Sequence, residues 1–273
     1  MRLTSWNLLH GMAIPPKNSW DEGALGDALI AMDSDVIALQ EVDHFLPRSR
    51  SRDQIFDGAQ AVGATEWAFA PSIVGTPGEK WRKLNHIDPE IVIQSNSAER
   101  FGAYGIGIIS KIPVLKWHRL NLGNSPIGMP LLVPGDETGR GKVRAIYVRD
   151  EPRVALAAVL ANGWTVINTH LSFVPGFNIS QLRRLKKWGS KIAGETNTRA
   201  LIVGDLNLPK NIPVIRSTWS SLITQNSYPS WGAKIQFDYI LADQIQSHEF
   251  STRETVQTGI SDHLPIRVEM KLK

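Results

Sequence analysis

The chain has 273 residues, 42% of them hydrophobic and 21% charged, the balance of an ordinary soluble globular protein that can bury a large core without covalent staples. Cysteine is absent, which excludes a disulfide framework, a thiolate nucleophile and a Cys-ligated zinc site. The net charge of +4 is compatible with an anionic substrate, but spread over this length it does not identify one.

Taken in chain order, short Val/Ile/Leu runs bounded by Gly, Pro, Asn or Asp predict strands at 2–6 and 35–40. Between them a helix is predicted over 20–32, with Ala24, Leu25, Ala28, Leu29 and Met32 on one stripe and Ser19 and Glu22 at capping-box spacing. A second helix, 54–62, is closed by Gly63. Strands follow at 67–71, 105–110, 114–120, 143–148, 154–160 and 164–169. The clearest helix is 179–192, with Leu182, Leu185, Trp188 and Ile192 on one side and basic residues on the other. Then come a strand at 200–203, a short helix at 212–219 and strands at 237–241 and 266–271. Segments 75–99 and 123–142 read as long loops, neither with the composition of an interdomain linker. One domain over 1–273 is expected, with sheets packed face to face and helices outside.

Polar clusters stand at the ends of these strands. Asn7 follows the first, where a turn residue is the plain alternative. Glu41 ends the run 35–40, either because the chain reaches solvent there or as a carboxylate ligand for Mg²⁺. His170 closes the strand that carries Asn168 and Thr169. Asp205 and Asn207 follow an apolar strand and Gly204; continued extension would put both on one face. A carboxylate beside a carboxamide is costly to bury there without partners. His263 follows Asp262, and Asp238 is the natural carboxylate to orient its ring. If the two were adjacent strand residues, Asp262 and His263 would point to opposite faces.

The order of these clusters is more informative than any one of them. Trp6-Asn7, Leu39-Gln40-Glu41-Val42, Asn168-Thr169-His170-Leu171, Gly204-Asp205-Leu206-Asn207, Phe237-Asp238-Tyr239-Ile240-Leu241 and Ser261-Asp262-His263-Leu264-Pro265 resemble the signature of the endonuclease/exonuclease/phosphatase superfamily. Residues 105–114 resemble its central strand, and Ser227-Tyr228-Pro229-Ser230-Trp231 its loop before the Asp-Tyr pair. The resemblance implies a DNase I-like, four-layered α/β/β/α sandwich with two mixed β-sheets. It also implies hydrolysis of a phosphoester with Mg²⁺, Mn²⁺ being a possible substitute.

Carried over by motif, Glu41 is the main metal ligand, with Asn7 and Asp262 nearby. His263, oriented by Asp238, is a general base or phosphate-stabilising group. Asp205 positions or deprotonates the attacking water, Asn207 holds a phosphate oxygen, and His170 contacts the scissile phosphate. Arg48 is a candidate phosphate contact because a guanidinium can bind phosphate bidentately. Arg153 resembles a family position at the edge of the site. Abasic-site repair nucleases of the superfamily carry Gly-Asp-Phe-Asn where this chain has Gly204-Asp205-Leu206-Asn207, which argues against a repair role.

The expectation is therefore a Mg²⁺-dependent phosphodiesterase acting on DNA or RNA. A small-molecule or lipid-headgroup phosphoesterase, inositol-phosphate or sphingomyelinase-like, is the alternative. A catalytically inactive binding module would have lost some of these acids, and all are present. No apolar run reaches the ~20 residues that span a bilayer, and residues 1–4 lead into a strand rather than a signal peptide. A cytoplasmic monomer without a membrane anchor is expected.

Overall fold

A computed structural model of the chain describes residues 1–14, 23–94, 101–133, 144–255 and 257–271. The described residues form strands β1 (Arg2–Asn7), β2 (Val36–His44), β3 (Glu66–Gly75), β4 (Trp81–Arg82), β5 (Val92–Ile93), β6 (Ala103–Ser110), β7 (Val114–Gly123) and β8 (Met129–Val133). The second half adds β9 (Arg144–Val148), β10 (Arg153–Leu160), β11 (Trp164–His170), β12 (Arg199–Asp205), β13 (Trp219–Ser221), β14 (Asp238–Asp243), β15 (Phe250–Arg253) and β16 (Ile266–Met270). The helices are α1 (Ala24–Ala31), α2 (Gln54–Val62) and α3 (Phe177–Thr196).

One sheet runs β15-β16-β1-β2-β6-β3-β4, with β5 also on β3, and the second runs β13-β14-β12-β11-β10-β7. Strand alternation explains the layering. In β2, Val36 and Ala38 face the second sheet and pack with Leu156, Val166, Leu201 and Ile240, while Ile37 and Leu39 face outward onto Leu29 of α1 and Ile55 of α2. In β12, Leu201 and Val203 point inward and Ile202 points outward, beside Leu182 and Leu185 of α3. The result is the expected α/β/β/α sandwich of two mixed sheets.

Pairs β1–β2 and β11–β12 are parallel, and each is connected through a helix, α1 and α3 respectively, as a parallel crossover requires. Their carboxyl ends, where the polar clusters lie, therefore fall at one edge of the sandwich.

Several expectations need correction. The helix at 212–219 is only a 3₁₀ turn at Ile212–Val214; Trp219 instead begins β13 and is buried in the α3-side core. Pro213 contributes no backbone N–H to a helical ladder. The two long loops contain β4, β5 and β8, whose two- to five-residue spans leave little periodicity to read. β15 was also missed. The expected caps Ser19 and Glu22 lie outside the described residues, as do parts of the 75–99 and 123–142 segments.

Candidate active site

Register builds half of the site directly. His170 pairs with Asp205, and Asp205 with Asp238, across β11, β12 and β14. Paired residues share a face, so these three side chains form a row on the inner side of one sheet. Asn7 pairs with Gln40 on the inner side of the other. The two rows meet where Asn7 Nδ2 donates to Asp205 Oδ2 at 3.1 Å and to Glu41 Oε1 at 3.0 Å. Gly204 lets β12 lie close against β11 just before Asp205: its φ is 137°, and a Cβ there would lie 1.8 Å from the Thr169 carbonyl oxygen.

Glu41 reaches the row through a backbone irregularity. β2 does not end at residue 40 but continues to His44, and its register against β6 shifts between Leu39 and Val42. Glu41 sits in that bulge at φ 55°. Unbroken alternation would send Glu41 outward with Ile37 and Leu39; the bulge turns it inward to Asn7. A left-handed conformation at a residue with a Cβ stores strain of order 1 kcal/mol.

His263 Nδ1 lies 2.7 Å from Asp238 Oδ2, the oxygen that also accepts the Ser227 hydroxyl at 2.5 Å. The ring's Nε2 is then 3.8 Å from Asp205 Oδ2, and His170 Nε2 is 3.7 Å from the same oxygen. Asp205 is thus flanked by two imidazoles. Asp262 and His263 are not on a strand, because β16 begins only at Ile266 and Ser261 has φ 66°. The opposite-face expectation for that pair does not hold. Asn207 also arrives by a turn rather than by extension: its φ is 50°, its N–H bonds Asp205 Oδ1 at 2.8 Å, and its amide lies 3.2 Å from His170 Nε2.

Electrostatics shows how crowded the acids are. Burial, followed by the charges of Asp262 and Asp205, pushes the Glu41 carboxyl up to about 7 against the Asn7 hydrogen bond and the pull of His263. Asp205 is pushed up by burial and by Asp238. Burial alone would lower His263, but the charge and hydrogen bond of Asp238 outweigh it and hold the imidazolium. His170 moves the other way, lowered by burial and by the charges of Arg153 and His263. The two imidazoles are thus biased in opposite directions, His263 toward the cation and His170 toward the neutral ring.

Among the described residues, neither Glu41 nor Asp262 has an ion-pair partner. Oxygen donors held close together with repulsion only partly offset by His263 fit a hard divalent cation. Asp205, Asp238 and His263 also bring ligand atoms within 4.8 Å of one another. In that trio, however, His263 Nδ1 is already committed to Asp238. Glu41 and Asp262, with the Asn7 carboxamide beside them, are further groups that could hold such a cation.

The two arginines are engaged by protein groups. Arg48 forms a fork onto the fully buried Asp43, at 2.8 and 2.7 Å. Arg153 is buried against Glu151 at 2.9 Å and Asp150 at 3.3 Å, although its charge still acts on His170. Two site residues went unassigned in the sequence. The Tyr228 ring centroid lies 5.0 Å from that of His263, and Tyr228 senses the charges of Asp262, Asp205 and Glu41. Tyr104 is buried among Glu41, Glu151, Arg153 and Arg48. The available signals were the loop preceding Phe237-Asp238 and the start of the central strand.

With this geometry in view, comparison with known proteins is direct. The family model described as the Endonuclease/Exonuclease/phosphatase family matches residues 4–263. A search of curated protein sequences finds no match. An endonuclease/exonuclease/phosphatase from Beutenbergia cavernae DSM 12333 is 18% identical with a TM-score of 0.64, over 99% of this chain and 72% of that one. A mannosyl-6-phosphatase from Bacteroides thetaiotaomicron VPI-5482 is 14% identical with a TM-score of 0.54, over 99% of both chains. The human Nocturnin catalytic domain, with a bound sulfate anion, is 15% identical with a TM-score of 0.57, over 99% of this chain and 93% of that one. At such identities the structural matches speak for the fold, whereas the family match speaks for the sequence itself. The chain belongs to the endonuclease/exonuclease/phosphatase family, whose members are hydrolases acting on phosphoester bonds.

Proposed function

We propose that this chain hydrolyses a phosphodiester, with DNA or RNA as the substrate class, using Mg²⁺ or Mn²⁺ held by Glu41, Asn7 and Asp262. The observation that carries the reading is the hydrogen-bonded line from Glu41 through Asn7 to Asp205, with His263 and His170 on either side. Bound there, the cation would offset charge on the phosphate oxygens.

The protein's own groups divide the remaining work. Asp205 holds the attacking water and accepts its proton, its two oxygens already oriented by Asn207 and Asn7. His263 is kept cationic by Asp238 and stabilises the phosphate oxygens as negative charge builds. His170, its Nε2 held by the Asn207 amide, borders the scissile phosphate. Packing of Tyr228 against His263 limits ring rotation.

A second reading, a small-molecule or lipid-headgroup phosphoester, is favoured by one observation: Arg48 and Arg153 both carry carboxylate partners and do not begin a basic track for a nucleic-acid strand. Hydrolysis of bis(p-nitrophenyl) phosphate, a phosphomonoester, DNA, abasic DNA, RNA and phospholipid headgroups is measured with and without Mg²⁺. Glu41→Ala and His263→Ala are run beside wild type. Full activity in His263→Ala, or none in wild type on any substrate, overturns the mechanism.

A further inference from the structure

Beside the catalytic cleft lies a cavity of about 420 Å³ whose wall includes Lys83, His86, Arg119, Asn121 and Arg153. Arg153 joins the two spaces: it lines the cavity and opens β10, two residues before Ala155, which pairs with Thr169 next to His170. Ser72, also in the wall, donates its hydroxyl to the carbonyl of Tyr104, which is buried among the same charges.

Two cations of the wall, Arg119 and Lys83, have no ion-pair partner among the described residues, whereas Arg153 is paired with Asp150 and Glu151. Arg119 donates to the carbonyl oxygens of Glu90 at 2.9 Å and Pro71 at 2.8 Å, which satisfies hydrogen bonds but cancels no charge. Its Nε, like that of Arg153, is buried without a hydrogen-bond partner among the described residues. Lys83 is exposed and makes no ion pair among the described residues. The acid in the lining is the exposed Glu90, whose charge acts on Arg119 without forming an ion pair. The half-buried Arg119 guanidinium, with no carboxylate on it, is free to pair with an arriving anion.

We propose that this cavity is an anion subsite that holds a second phosphate group of the substrate while the ester to be cleaved lies over Glu41 and His263. The inference rests on the phosphoesterase reading and extends it to substrates carrying at least two phosphates. The second group is either the next phosphodiester of a nucleic-acid strand or a second phosphate on a small molecule; the chemistry of recognition is shared.

Binding is measured on chelator-treated protein, so that nothing turns over, using thymidine 3′,5′-bisphosphate against thymidine 5′-monophosphate. Wild type should prefer the bisphosphate by about tenfold or more, and Lys83→Glu and His86→Glu, both at exposed loop positions, should erase most of that preference. Equal affinity for the two ligands in wild type, or an unchanged preference in both variants, overturns the subsite. Turnover then separates the sources. Cleavage of pTpTpT but not fructose 1,6-bisphosphate assigns the second phosphate to a strand, and the reverse assigns it to a small molecule. A bisphosphate preference without hydrolysis of either, or of bis(p-nitrophenyl) phosphate, overturns the phosphoesterase reading and leaves the subsite standing.

Discussion

Gln40 on β2 donates its amide to Asn168 Oδ1 on β11 at 2.7 Å, a fully buried bond that ties one sheet to the other directly behind the candidate active site. Asn168 extends the tie, its own amide donating to the carbonyls of Leu39 and Gly107, both at 2.8 Å. Glu41 is one residue from one end of this bond and His170 two residues from the other, so the clamp sets the spacing between the two halves of the site.

Asn168→Ala should therefore lose stability and activity together. The buried carbonyls of Leu39 and Gly107 lose an amide donor and Gln40 loses its bond to the other sheet, keeping only Ser5 and Ala38, which predicts about 2–4 kcal/mol of destabilisation. Urea denaturation measures it, and an unchanged midpoint would show that the sheets are held in register without the clamp.

Arg48 should prove more important to stability than to substrate affinity. Asp43 is fully buried beneath its fork, and removal of one partner of a buried ion pair costs about 3–5 kcal/mol. Arg48→Met is expected to lower the denaturation midpoint strongly. A stable variant whose only defect is a raised KM would instead make Arg48 a phosphate ligand.

Divalent cation should stabilise the folded chain as well as activate it. Glu41, Asn7 and Asp262 are assembled only on folding, so a ligand at 100 times its Kd adds about 2.7 kcal/mol. Thermal unfolding with Mg²⁺ and with EDTA measures the difference, which Glu41→Gln should largely abolish. Equal Mg²⁺ stabilisation of wild type and Glu41→Gln would place the cation elsewhere.

His10 makes stability depend on pH. Burial, and then the charge of Arg48, lowers its pKa from 6.5 to about 4. The unfolded chain takes up the proton as pH falls below 6.5 while the folded chain resists until about 4, so protonation favours unfolding across that window. The difference in unfolding free energy between His10→Gln and wild type should move in favour of the variant by about 3 kcal/mol from pH 7 to pH 4. A difference that stays constant with pH would show that His10 protonates equally in both states.

Asp238→Asn tests the imidazolium. The amide fills the same volume but cannot hold a positive charge on His263, and loss of that charge at the phosphate predicts a fall of about 10²–10³ in kcat. Steady-state kinetics with bis(p-nitrophenyl) phosphate measures it; a KM effect alone would confine Asp238 to a packing role.

Much of this site is legible in the residues themselves. The unbroken apolar run Val36, Ile37, Ala38 and Leu39 predicts a strand buried on both faces, and β2 is one. Asn7, Glu41, His170, Asp205, Asp238 and His263 stand out because a polar group at the tip of an apolar run needs a partner or a task. Local pattern was less reliable where backbone conformation departed from extension. The positive φ of Glu41 and Asn207 decides which way each side chain points, and neither residue type signals it. The shortest strands, β4 and β5, were missed because two residues carry no period.

By itself, the sequence determined the layers and the chemical types gathered at one sheet edge, since hydrophobic period and strand-end polarity are local properties of the chain. Only the tertiary structure decided what each group faces. It gave Arg48 to Asp43, set Tyr228 against His263, and opened a cation-lined cavity beside Arg153. The physical reason is that a long side chain chooses its partner by what other segments bring within hydrogen-bond reach, and those segments are far away in the chain.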